Sequence, residues 1–114
     1  MKKTHSSYSC RERYHYDFKA CRGWAQFDTR EDASYYGNWA CPLKKTLVSF
    51  AEGDETITTC ETTEEFVREV KKWFKWAVGI GYEPSIDPGL KDEYVKLWSD
   101  LNLTTEKLRE EFGK

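Results

Sequence analysis

The stretch LVSFAEGDETITTCETTEEFVREVKKWFKWAVG, residues 47–79, changes its periodicity halfway along. Leu47, Val48 and Phe50 supply the apolar mass of one strand, and the β-branched run TITTC at 56–60 suits a second. Glu52-Gly53-Asp54 lies where a hairpin has to turn. From Thr62 onward the pattern is helical. Phe66, Val70, Trp73, Phe74 and Ala77 fall at i, i+4, i+7, i+8 and i+11, a continuous apolar face. Arg68, Glu69, Lys71, Lys72 and Lys75 cover the other sides, with the lysines toward the end that the helix dipole makes negative. Thr62 and Glu65 have capping-box spacing, and Gly79 and Gly81 are suited to end the helix.

The same order, strands first and helices after, extends in both directions. Upstream, RYHYDFKAC (13–21) alternates aromatic and polar residues and predicts a half-buried strand; Arg22-Gly23 reads as a turn and WAQFDT as another strand. REDASYYGNWACP (30–42) has Gly, Asn and Pro punctuation and no clean period, which predicts an irregular connection. Downstream, Asp87 and Pro88 suit the start of a second helix whose apolar positions are Leu90, Tyr94, Leu97, Trp98 and Leu101. Thr104 or Thr105 would cap a short third helix carrying Leu108 and Phe112. The expected fold is a single α+β domain, 1–114: a sheet of about four antiparallel strands (12–60) covered on one face by two to three C-terminal helices (62–112). Residues 1–9, small and polar, read as a flexible arm.

A chain of 114 residues supports one core, and 16% aromatic residues, five of them Trp, compensate for a hydrophobic content of 39%. The net charge of −2 gives no general attraction to nucleic acid or anionic membrane. Its distribution is uneven. Residues 1–22 carry a net charge of +4, whereas residues 46–67 contain no Lys or Arg and carry −6. No apolar run is long enough to cross a bilayer, and MKKTHSSYSC lacks the apolar stretch of a signal peptide, so a cytoplasmic location is expected.

Cys10, Cys21, Cys41 and Cys60 are spaced too widely for a paired-ligand zinc site and read as free thiols; a set of Cys10, His15, Asp17 and Cys21 is the weaker alternative. No metal or cofactor is expected. GIGYEP at 79–84 closes a helix, whereas a dinucleotide loop opens one, so it reads as a cap and turn. Three functional classes stay open. A partner-binding surface would draw on Asp28, Glu31 and Asp32, on Tyr35, Tyr36 and Trp39, and on Glu52, Asp54 and Glu55. The aromatic cluster suits either a core plug or an interface. An enzyme or metal-dependent hydrolase would use His15 with Asp17, or the Asp28/Glu31/Asp32 carboxylates. A nucleic-acid binder would use the basic N-terminal segment and the Lys71/Lys72/Lys75 helix face.

GWAQFDTREDASYYGNWACP, continued by LVSFAEGD and CETTEEFVREVKKW, resembles a family of small uncharacterised bacterial, phage and plasmid proteins over residues 22–89. The resemblance implies a mobile-element setting and brings no site residues with it. In that setting small acidic α+β proteins resemble inhibitors of host defence complexes, anti-CRISPR proteins among them, and by that analogy a host partner with a basic surface is expected.

Overall fold

The computed structural model describes residues 2–6, 25–28, 36–51, 54–81, 83–87 and 92–113. Among the described residues six strands, β1 (Lys2–Ser6), β2 (Ala25–Asp28), β3 (Tyr36–Cys41), β4 (Thr46–Ala51), β5 (Asp54–Thr59) and β6 (Ser85–Asp87), form one sheet in the order β1-β5-β4-β3-β2-β6. Every neighbouring pair is antiparallel. The middle is a meander, β2 to β5, and the first and last strands close its two sides. Among the described residues three helices, α1 (Thr63–Gly79), α2 (Asp92–Asp100) and α3 (Thr105–Phe112), complete the α+β fold.

α1 begins as its sequence requires. The Thr62 hydroxyl accepts from the Glu65 N–H (3.1 Å), and the Glu65 carboxylate reaches back to the Glu61 N–H (3.1 Å), one residue before the cap. The helix ends where Gly81 takes φ +93, a left-handed conformation, and donates to the Val78 carbonyl (3.0 Å). Phe66, Val70, Phe74 and Ala77 are fully buried against the sheet. Each aromatic ring so removed from water stabilises the fold by about 1.5–3 kcal/mol. The core they join includes Ala40, Cys60, Ile86, Trp98, Leu103 and Leu108, so the sheet and all three helices share it. The Phe66 and Trp98 rings meet at 5.9 Å, tilted by 56°.

α2 and α3 are joined by a tight stop. Leu103 N–H donates to the Trp98 carbonyl (3.1 Å) and Asn102 N–H to the Ser99 carbonyl (2.9 Å), with Asn102 at φ 59. This is a Schellman arrangement, and its apolar partners Leu103 and Trp98 are both core residues. Thr104 then caps α3 by accepting from the Lys107 N–H (3.2 Å). Thr105 fastens α3 to the sheet edge: its hydroxyl accepts from the Ile86 N–H (2.9 Å) and donates to the Ile86 carbonyl (3.1 Å). Among the described residues, those backbone groups of β6 have no strand beside them. Lys71 of α1 meets Glu111 of α3 at 3.0 Å.

Three expectations are corrected. Lys2–Ser6 is an edge strand paired with β5 and not an arm, because Lys2, Lys3, Thr4, His5 and Ser6 stand in register opposite Thr59 to Glu55. Residues 36–41 are a central strand and not an irregular connection. Trp39, Ala40 and Cys41 are buried in succession, so both faces of β3 are shielded, and a strand shielded on both faces has no apolar–polar alternation to detect. The second helix starts at Asp92, since Ser85–Asp87 pairs with β2 as a sixth strand. The expected antiparallel sheet with C-terminal helices is present, and its described residues form six strands where about four were expected. The strand expected at 13–21, the turn at Arg22-Gly23 and the helical position Leu90 lie outside the described residues.

Candidate functional site

Strand pairing gathers part of the expected surface at one end of the sheet. Asp28 lies one residue beyond the Phe27–Asn38 pair, opposite Ser85. Glu55 is paired with Phe50, and Phe50 with Gly37, in the same cross-strand row. The next row outward is Tyr36, Ala51 and Asp54. Asp28, Tyr36, Asp54 and Glu55, up to 27 positions apart in the chain, thus share one end of the sheet. Glu31, Asp32, Tyr35 and Glu52 lie outside the described residues, as do His15, Asp17, Cys10 and Cys21.

Trp39 does not join that end. It sits three residues further into β3 and is 4% exposed, so its ring is largely interior. Side chains alternate along a strand. Trp39 and its partner Val48 therefore face away from the side on which Asn38, Ala40, Leu47 and Ser49 lie.

That second side carries a feature the sequence reading missed. The row Ala40–Leu47–Thr58 supplies an apolar base for α1, but the next row, Asn38–Ser49–Thr56, is polar. Ser49 Oγ donates to Asn38 Oδ1 (2.7 Å). Above this row α1 presents Glu69, Lys72, Trp73 and Trp76, and a cleft of about 350 Å³ lies between helix and sheet. Glu69, Trp73, Trp76 and Ile80 form a stripe at i, i+4, i+7 and i+11, offset from the buried stripe of Phe66, Val70, Phe74 and Ala77. Trp76 is 56% and Ile80 51% exposed. Trp73 lies edge-on to the core ring of Phe74, with centroids 6.4 Å apart. The signal was present: two tryptophans stand beside, not within, the helix's best-buried face.

The three lysines proposed for a nucleic-acid surface are divided. Lys71 pairs with Glu111, Lys72 lines the cleft, and Lys75 is exposed. Cys41 and Cys60 are free thiols, both buried. Burial pushes the Cys60 thiol above its ordinary value of 9.0, and the nearby Glu69 and Glu65 carboxylates add to the effect. A buried, protonated thiol is a poor nucleophile. Among the described residues no three His, Cys, Asp or Glu side chains are grouped to hold a metal, and no helix is long and apolar enough to cross a membrane. No family model, curated protein or solved structure matches this chain.

Proposed function

We propose that this is a non-enzymatic binding protein whose acidic sheet end, with Asp28, Tyr36, Asp54 and Glu55, docks on a basic surface of a macromolecular partner. The observation that carries the reading is the strand register, which draws three carboxylate residues and a tyrosine from β2, β3 and β5 to one end. The backbones of these four residues belong to paired strands, so little backbone ordering entropy would be lost on meeting a partner. A field of one sign also speeds encounter with a surface of the opposite sign. The mobile-element setting implied by the resemblance makes a host defence complex that handles nucleic acid the expected partner, and the protein its inhibitor.

The test is capture from host lysate with the tagged protein, beside a variant carrying Asp28→Asn, Asp54→Asn and Glu55→Gln. A basic partner retained by the wild type, released by salt and lost with the folded variant supports the reading. Equal retention by both proteins sinks the acidic end as the docking surface.

A further inference from the structure

We infer that the cleft between α1 and the sheet is a small-molecule site for a planar, uncharged heterocycle with a lactam or amidine edge, the chemistry of a nucleobase. The inference does not depend on the acidic sheet end.

A helix that packs on a sheet normally covers apolar residues, as α1 does over Ala40 and Leu47. One row further along it overhangs Asn38, Ser49 and Thr56 and leaves a cleft of about 350 Å³ in place of packed side chains. That volume lies at the small end of the range for ligand pockets, about 300–1,000 Å³, and suits one ring system with a modest substituent. Two indoles in the wall provide flat apolar surfaces, to which a planar π-system adheres better than an irregular or charged group. Glu69 and Lys72 carry opposite charges on the same wall, so the cleft does not select for a cation or an anion.

The floor supplies the direction. Because Ser49 donates its proton to Asn38 Oδ1, the serine oxygen keeps its lone pairs and the asparagine keeps its NH2 donors. Ser49 Oγ lies 2.7 Å from Asn38 Oδ1, so the serine acceptor and the amide that carries the NH2 donor are neighbours on the floor. Their complement is an adjacent acceptor and donor in one plane, which is the edge of a lactam or amidine ring. Tryptophan faces would hold such a ring by stacking while the floor reads its edge.

The experiment uses the whole chain labelled with nitrogen-15. Adenosine, inosine, cytidine and uridine are titrated separately while the indole N–H signals of Trp73 and Trp76 are followed. At least one nucleoside should shift both signals saturably, with a Kd on the order of 0.1–1 mM. Trp76→Ala alters an exposed residue, so the fold should persist while affinity drops roughly 5- to 150-fold. Ser49→Ala should change the ranking among the four nucleosides and keep the stacking shifts. The inference is overturned if none of them gives a saturable shift, if Trp76→Ala binds as the wild type does, or if methyl glucoside shifts these signals where the nucleosides do not.

Discussion

Trp39 shows how much one side chain's placement changes a functional reading. Tyrosine and tryptophan in a Gly/Asn-containing run suit a binding surface, yet at 4% exposure this ring is interior packing. Trp39→Ala should therefore lower stability by about 3–5 kcal/mol, read from urea or guanidinium midpoints, because the strand neighbours cannot fill the void. A stable Trp39→Ala protein would show that the ring is dispensable to the core. Cys60 makes a second prediction at this scale. Its thiol is held above 9.0 in the folded protein by burial and by Glu69 and Glu65. Below about pH 9 the thiol is protonated in both folded and unfolded chains, and stability is unaffected. Above that, the unfolded chain releases the proton first, so stability falls until pH passes the raised folded value. Unfolding midpoints measured as pH rises past about 9 should thus decline more steeply in the wild type than in Cys60→Ala. Parallel slopes would remove Cys60 as the cause.

At the scale of the element, the stops matter as much as the apolar faces. The Schellman turn after α2 places Asn102 at φ 59, a region an L residue with a branched β-carbon enters with difficulty. Asn102→Val should lower stability by about 1–2 kcal/mol, while Asn102→Gly should be near neutral, both by chemical denaturation. Equal effects of the two would place the cause outside the backbone. This turn also marks what was legible. α1 was readable to the residue, since Thr62, Glu65 and the Phe66–Ala77 stripe are local signals of one period. The cap of α3 was narrowed to Thr104 or Thr105, and Thr104 is the one that accepts from the Lys107 N–H. β3 was not readable, because Gly37-Asn38 imitates turn chemistry and burial on both faces removes alternation. β1 and β6 were not, because short edge strands are specified by their partners, Thr56–Ile57–Thr58 and Gln26–Phe27, far away in the chain. The cleft depends on both kinds of information. Trp73 and Trp76 are visible on a helical wheel, but their polar floor exists only once the register of three strands is known.

At the scale of the molecule, the sheet of the described residues has two edge strands, β1 and β6, and treats its two sides differently. On the β6 side Thr105 takes up the Ile86 backbone groups that would otherwise invite another strand. On the other side β1 covers β5, whose Thr56, Ile57, Thr58 and Thr59 form a β-branched run with high strand propensity. β1 itself contains Lys2, Lys3 and His5, and charged edge strands resist pairing with a further chain. The N-terminal strand is in this view a cover for an adhesive edge as well as a source of cross-strand contacts. Removing residues 1–6 should have two separable effects. Loss of five cross-strand pairs, at about 0.2–1 kcal/mol each, lowers stability by about 1–5 kcal/mol. Exposure of β5 also promotes self-association, visible by light scattering or sedimentation as species larger than those of the full chain. Substituting Ile57 by Lys in the shortened protein should reverse the association without restoring the lost stability, since it blocks pairing but replaces no contact. A shortened protein as stable as the full chain, and no larger in solution, would mean that β1 neither supports nor shields the sheet.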